Sequence, residues 1–228
     1  MREFHLELRD VTRLAESGSL CSVSVDFTPG ILHALVGDAG CGTLLRIAGL
    51  LEQPDKGELF LARQPLGRLG GHERARLRSK LFGYVFATPH LLPSMTVVEN
   101  VAVPFFKVPG STVEAAKARA AEVLDFVQLT ESAGVSVGSL SRGEQQRAAL
   151  ARSLVHAPAF LIVELPDTEE ASCFLDLLRA APARFGTGVI VTLPTGMDPV
   201  ETDRVVTVRK GAVHGEALRL PQRESSPS

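Results

Sequence analysis

Three glycines between an apolar run and a short helical stretch carry the pattern of a phosphate-binding loop. Residues 36–50, VGDAGCGTLLRIAGL, place Gly37, Gly40 and Gly42 directly after the run ILHAL. Such a loop points successive backbone N–H groups at phosphate oxygens, and the start of the following helix adds partial positive charge. The lysine that normally follows the last glycine is absent, since Thr43 stands there. The sequence therefore predicts a phosphate loop that persists as scaffold without its lysine.

A second stretch, SLSRGEQQRAALAR at residues 139–152, is the most specific in the chain. It resembles the signature motif of ABC-type ATPases, L-S-G-G-E-Q-Q-R followed by a helix, with Arg142 in place of the first glycine. Other stretches resemble that family's landmarks in order: the phosphate loop at 37–42, the Q-loop region at 82–105, the magnesium-binding strand at 156–167 and the switch-histidine strand at 189–194. The segment LLPSMTVVENVAVP is similar to the corresponding segment in the lipoprotein-release, macrolide-export and cell-division group of that family.

The resemblance implies an α/β fold, with a P-loop NTPase (RecA-like) core, an antiparallel β subdomain and an inserted helical subdomain. We expect one domain over residues 1–220, in which 1–87 and 156–215 form the core and 88–155 the helical subdomain. Residues 221–228 are predicted to be a disordered tail.

Hydrophobic periodicity gives two more detailed expectations. Residues 21–27 alternate apolar and polar side chains, which predicts a half-buried strand with Cys21 on its buried face. Ser111 and Glu114 have the spacing of a capping box at the start of a long helix in the middle of the chain.

Residues that would serve the chain's own nucleotide differ from the family pattern. Glu164 and Leu165 stand where the family's magnesium strand ends in Asp-Glu, so the carboxylate that activates the attacking water is replaced by an apolar side chain. Ala87 stands at the position of the Q-loop glutamine, and Leu193 at that of the switch histidine. Residues 12–16, TRLAE, offer no aromatic ring to stack on adenine.

These differences predict a chain with no catalytic residue of its own and no autonomous ATP hydrolysis. Thr43 keeps a hydroxyl near the loop, whereas Arg46 lies too far along the helix to replace the lysine. A charge-assisted hydrogen bond contributes roughly 1.5–3 kcal/mol. ATP and Mg²⁺ are therefore expected to bind this site about tenfold to more than a hundredfold more weakly, or not at all. No metal-ligand cluster is predicted.

The residues that would serve a partner's nucleotide are retained. In the family, two domains pack head to tail, and each signature faces the ATP held by the other subunit. Ser141, Gly143, Glu144 and Gln145 match that motif. Arg142 either clashes with the nucleotide or adds a positive charge near its phosphates. An alternative interpretation is that the motif persists only because it caps and packs a helix.

Composition narrows the class of partner. Of 228 residues 45% are apolar, and the net charge of −2 gives no basic excess for nucleic acid. Three widely spaced cysteines and no membrane-length apolar run are typical of a cytoplasmic protein with reduced thiols. The resemblance implies peripheral attachment to the inner face of the membrane through a membrane-embedded permease, with a second ABC ATPase subunit or a second copy as partner.

Several functions remain open at this stage. The split between lost and retained residues favours a subunit that supplies its signature to a partner's ATP site. A second hypothesis is a working transport ATPase that uses Glu164 as both metal ligand and base. A third is a nucleotide-independent subunit that docks on a membrane protein through the Q-loop region. A decaying gene product without a role is the fourth.

Overall fold

The computed structural model of the chain describes residues 4–16, 18–165, 171–194, 196–197, 199 and 202–218. Its strands are β1 Leu6–Arg13, β2 Leu20–Phe27, β3 Leu32–Gly37, β4 Lys56–Leu61, β5 Gln64–Pro65, β6 Phe82–Val85, β7 Phe160–Glu164, β8 Gly188–Thr192, β9 Arg204–Arg209 and β10 Ala212–Leu218. Its helices are α1 Gly40–Ala48, α2 Gly71–Leu81, α3 Val97–Ala102, α4 Val113–Phe126, α5 Arg142–Leu154 and α6 Ala171–Phe185, with 3₁₀ turns at Val103–Lys107 and Val137–Ser139. The predicted tail, 221–228, lies outside the described residues.

The strands form two sheets. The smaller sheet is antiparallel, in the order β2-β1-β4-β5. The larger sheet has the order β10-β9-β3-β8-β7-β6, in which the pairs from β9 to β6 are parallel and β10 pairs antiparallel with β9. The central strands read as continuous apolar runs because both of their faces are covered. The predicted α/β fold with an antiparallel β subdomain is confirmed.

Helix α1 lies between the two sheets and joins their cores. It contacts β1 and β2 on one side and β3, β7, β8 and β9 on the other. Leu44, Leu45 and Ile47 are fully buried, so nearly the whole circumference of this short helix is apolar. Its start and orientation are therefore set by the sheets rather than by helix propensity, which is weak in so short a segment.

Helices α3, α4 and α5 pack on one another beyond the free edge of β6. Asn100, fully buried on α3, orders the segment that precedes this helix. Its side-chain oxygen accepts from the Leu92 amide at 2.7 Å, and its nitrogen donates to the carbonyls of Leu92 at 3.1 Å and Thr96 at 3.0 Å. Asn100 thereby fixes the part of the segment between β6 and α3 that begins at Leu92.

The predicted capping residue of the long helix is wrong by one position. Thr112, not Ser111, caps α4, and its hydroxyl accepts from the Ala115 amide at 3.1 Å. Ser111 belongs to the preceding turn, because its own amide donates to the Val108 carbonyl at 3.1 Å.

The predicted inward orientation of Cys21 is also wrong. Cys21 is exposed, and Leu20 takes the buried position. Ser22 has φ 53°, and the register of β1 with β2 shifts between Val11 and Arg13. This irregularity interrupts the alternation, so a strict period of two assigns the wrong face at the start of β2.

Two further observations concern helices and thiols. Among the described residues, no helix is long and apolar enough to cross a membrane. The three cysteines are unpaired, and burial, with the nearby Asp38 charge, raises the pKa of the Cys41 thiol to about 11. Cys41 is therefore a protonated packing residue rather than a nucleophile.

His33 is a buried titratable group at the centre of the larger sheet. It is fully buried in β3, and its Nε2 lies 3.1 Å from the amide nitrogen of Thr28 and 3.0 Å from the Thr28 carbonyl oxygen. Its Nδ1 has no hydrogen-bond partner among the described residues. Burial lowers the pKa of His33 to about 4, and the charge of Arg204 adds to the effect.

We expect His33 to make the fold acid-sensitive. The unfolded chain protonates this side chain near pH 6.5, and the folded chain only near pH 4. Its stabilising contribution is therefore complete above pH 6.5 and decreases as pH falls toward 4, by roughly 3 kcal/mol in total. Urea unfolding at about pH 7 and about pH 5 should show a smaller pH dependence for His33→Gln than for wild type. The control is His72→Gln, an exposed residue of α2. An unchanged pH dependence in His33→Gln contradicts this account.

Candidate functional site

The carboxyl ends of the parallel strands meet along one edge of the larger sheet. The register pairs Leu35 and Glu164 with the same residue, Thr192, and pairs Val85 with Val163. Residues that follow these strands therefore lie along a common edge, where ligands bind in open α/β sheets. The structure thus brings to this edge the sequence-predicted residues of the loop, the Q-loop position, the magnesium strand and the switch position: Gly37, Ala87, Glu164, Leu165 and Leu193.

The loop between β3 and α1 is tight because Gly37 touches the neighbouring strand. Gly37 has φ 138°, and a Cβ placed on it would lie 1.8 Å from the Val208 carbonyl oxygen. The next amide, that of Asp38, donates to the same carbonyl at 3.1 Å. Glycine is required here by both backbone conformation and space.

Asp38 binds the amides at the start of α1. Its carboxylate accepts from the Gly40 amide at 2.9 Å and from the amide of Lys210 in the β9–β10 turn. Its carbonyl accepts from the Cys41 amide at 3.0 Å. A negative side chain at a helix N-terminus is favourable, and here the carboxylate engages one amide of the first turn, that of Gly40.

The Thr43 hydroxyl is engaged by partners within the chain. Thr43 is fully buried, and its Oγ1 donates to the Gly18 carbonyl at 2.7 Å and accepts from Arg46 at 3.1 Å. Arg46 is in turn paired with Glu52. Gly18 has φ 120° and packs on the loop so closely that a Cβ on it would lie 2.3 Å from the Ala39 carbonyl carbon. The segment between β1 and β2 therefore braces the loop from below.

The cavity left at this loop is small, about 320 Å³, and Asp38 and Lys210 both line it. Glu164 is half-buried at the end of β7, while Leu165 and Leu193 are buried and apolar. Ala87 presents its backbone carbonyl to Gln146 at 2.6 Å. Among the described residues, no group of His, Cys, Asp or Glu is arranged to hold a metal ion.

The signature residues begin α5 and form a capping box. The Ser141 hydroxyl accepts from the Glu144 amide at 3.3 Å and donates to the Glu144 carboxylate at 2.8 Å. That carboxylate also accepts from the Ser141 amide at 2.8 Å, and these bonds hold the pKa of Glu144 below its usual range. Gln145 donates to the Leu140 carbonyl at 3.1 Å. The motif is thus a helix start whose capping groups, Ser141 and Glu144, bond to each other, with Gly143 in the first turn.

A cavity of about 560 Å³ opens beside this helix start, between α5 and α6. Ser141, Arg142 and Gly143 line it, and it shares no lining residue with the loop cavity. Arg142 is exposed and forms no ion pair with any described residue. Gln146, which also lines this cavity, is buried, and its Oε1 has no partner within the part of the chain that the structure describes.

One residue of this arrangement, Asp38, escaped the sequence analysis. It carries a local signal, because Asp close to a helix start often accepts from helix amides. Gln146 belongs to the signature motif, but its contact with the Ala87 carbonyl joins positions far apart in sequence and has no sequence signal.

Comparisons with known proteins match the chain to one family along most of its length. A family model described as ABC transporter matches residues 20–166. The lipoprotein-releasing system ATP-binding protein LolD of Paramagnetospirillum magneticum is 38% identical over 92% of this chain and 98% of that protein. An uncharacterised ABC transporter ATP-binding protein of Thermotoga maritima is 33% identical over 92% of this chain and 94% of that protein. The ATP-binding cassette MJ0796, solved as a dimer with ADP and phosphate, has a TM-score of 0.79 and 28% identity over 93% of this chain and 98% of that one.

We expect Asp38→Ala to destabilise the fold by about 1–2 kcal/mol, because the first turn of α1 and the β9–β10 turn lose their shared acceptor. Asp38→Asn should cost less, since its amide oxygen still accepts a hydrogen bond. Urea unfolding at neutral pH measures both. Glu131→Ala is the control, because Glu131 is exposed and its side chain forms no hydrogen bond or ion pair with any described residue. Equal stability of Asp38→Ala and Glu131→Ala contradicts a stabilising role for the Asp38 carboxylate.

Proposed function

The chain belongs to the ABC transporter ATP-binding proteins, in the group of the LolD relatives, and from this premise we propose that its own loop does not drive ATP hydrolysis. Instead, the chain supplies its signature motif to the ATP site of a partner subunit in a membrane transport complex. The observation that carries the proposal is the carboxylate of Asp38, which accepts from the Gly40 amide at the start of α1 and from the Lys210 amide.

The loop side supports the proposal electrostatically. A phosphate at α1 must compete with a covalently attached carboxylate for the Gly40 amide, and no lysine follows Gly42 to attract it. The buried Leu165 cannot activate water, and the Thr43 hydroxyl is engaged by the Gly18 carbonyl. Each contact favours a loop that acts as a structural connection.

The cavity beside the signature motif also supports the proposal. Its cavity is separate from the loop and is lined by Ser141, Gly143 and the cationic Arg142. The N-terminus of α5 carries partial positive charge, and the Arg142 guanidinium, which pairs with no described carboxylate, adds to it. Glu144 and Asp176 also line the cavity, but Glu144 is engaged by Ser141 and Asp176 by Arg179. We infer that Arg142 adds a charge near a partner's phosphates. The capping box is compatible with this role, because Gly143 keeps its backbone at the cavity surface.

Partners follow from the relatives. MJ0796 was solved as a dimer, and LolD is named as part of a lipoprotein-releasing system. We propose a second ATP-binding subunit with an intact loop and a membrane-embedded permease, which holds the chain at the cytoplasmic face.

We expect Ser141→Ala to lower ATP turnover of a complex reconstituted with an intact partner subunit and permease by about tenfold or more. The loss of a donor to transition-state charge costs that much in comparable sites. Turnover is measured by phosphate release at saturating Mg-ATP.

The matched control is Ser139→Ala, which removes an exposed hydroxyl two residues upstream whose bond is to Ser136. Since Ser141 also caps α5, unfolding curves of both variants are recorded at the assay temperature. Unchanged turnover in a folded Ser141→Ala complex refutes the trans role.

We expect the purified chain alone to show no ATP turnover and to bind Mg-ATP only weakly, at millimolar concentrations or above, in calorimetry. Glu164→Gln should change neither result. Turnover that disappears in Glu164→Gln would instead support a working ATPase with an unusual base. Assembly with the permease that is indifferent to both ATP and Ser141→Ala would support a docking subunit that needs no nucleotide.

A further inference from the structure

The segment from the β4–β5 turn to the end of α2 carries a charge opposite to that of the whole chain. Residues 62–81, here called the basic segment, contain six arginine and lysine residues and one acidic residue, whereas the chain has a net charge of −2. Such an asymmetry indicates contact with an anionic partner where the cations are exposed and unpaired. Four of the six are exposed: Arg63, Arg68, Arg76 and Lys80.

Arg76 and Lys80 stand on the outer side of α2. They are four residues apart and therefore lie on the same side of the helix, whereas Arg74 is buried on another side. Neither exposed side chain forms a hydrogen bond or an ion pair with any described residue. Glu73 lies beside them, but its carboxylate accepts from the Gly70 amide at 2.9 Å. Two positive charges of α2 thus face solvent without a counter-ion in the described part of the chain.

Arg63 and Arg68 extend the positive charge into the turns before α2. Neither forms an ion pair with a carboxylate that the structure describes. The turn that holds Arg68 is attached to the helix, because Arg74 donates to the Leu66 carbonyl at 3.5 Å. Glu58 is bonded to the same turn, where its carboxylate accepts from the amide of the residue before Arg68 at 2.7 Å. The cations of the turn and of the helix therefore belong to one connected surface.

The basic segment offers charge without an apolar anchor. No large hydrophobic residue of the segment is exposed, and its four exposed cations line neither the cavity at the loop nor the cavity beside the signature motif. Protein interfaces are centred on buried aromatic and aliphatic side chains, and single-stranded nucleic acid stacks on exposed aromatic rings. A layer of anionic lipid headgroups needs neither, since exposed lysine and arginine residues alone attract it.

We propose that the basic segment contacts the anionic lipid headgroups of the membrane beside the permease. The inference rests on the proposed function, since a permease is what brings the chain to the bilayer. Each lysine or arginine close to an anionic bilayer strengthens attachment by about fivefold. Four such residues predict half-saturation at about millimolar accessible lipid. Contact of that strength orients a chain that the permease already holds, rather than recruiting it alone.

The test is co-sedimentation of the full chain, without nucleotide or partner, with vesicles of phosphatidylglycerol and phosphatidylcholine at low ionic strength. Binding should rise with the phosphatidylglycerol fraction and disappear at about 1 M salt, where the Debye length falls to about 3 Å. Arg76→Gln and Lys80→Gln should each weaken binding by about three- to fivefold, and the double variant by about tenfold or more. Both side chains are exposed and unbonded, so the variants should keep the wild-type unfolding curve.

Lys117→Gln is the matched control. It removes the same charge from an exposed position on another helix, α4, where Lys117 forms no hydrogen bond or ion pair with any described residue. Equal weakening by Lys117→Gln, or equal binding to vesicles of phosphatidylcholine alone, overturns the proposal. So does a lack of vesicle binding, whether or not Arg76 and Lys80 bind an acidic helical peptide or duplex DNA instead.

The two proposals can fail separately. Vesicle binding by the chain alone needs no ATP, so Ser141→Ala should bind vesicles as the wild type does, whatever its effect on turnover of the complex. Loss of vesicle binding in a folded Ser141→Ala chain contradicts the assignment of this contact to the basic segment.

Discussion

The contact between the Asp38 carboxylate and the start of α1 is the constraint on which the centre of this fold depends. Helix α1 has nine residues and is covered by both sheets, so its position determines how the two cores meet. A helix of that length is not stable alone, and its first amides need acceptors. Asp38 provides them and also binds the β9–β10 turn through Lys210. Asp38, which follows β3, thereby connects helix α1 to the β9–β10 hairpin.

The same contact links fold to chemistry. An anion at a helix N-terminus is what a phosphate-binding loop provides for, and here the anion belongs to the chain itself. On the proposed function, the loop and its helix persist as scaffold, because the buried Leu44, Leu45 and Ile47 keep α1 packed between the two sheets.

The sequence predicts what depends on short-range pattern. Apolar runs identify the central parallel strands, and the signature stretch identifies the start of α5, where the structure adds a capping box between Ser141 and Glu144. The failures have local causes. A bulge near Ser22 reverses the side of Cys21, and one residue separates the real cap, Thr112, from its neighbour. What the sequence cannot show is tertiary contact. The carbonyl that accepts from the Thr43 hydroxyl belongs to Gly18, and the sequence of the loop itself gives no sign of this contact.

Helix α5 connects the signature motif to the segment that follows β6. Its N-terminus lies at the cavity lined by Ser141, Arg142 and Gly143. Along the helix, Gln146 holds the Ala87 carbonyl, and Arg152 holds those of Pro89 and His90. Ala87 has no side chain to contact a nucleotide in this chain's own loop, yet its backbone remains clamped to α5. On the proposed function, that clamp is what the Q-loop position still contributes: it transmits position rather than chemistry.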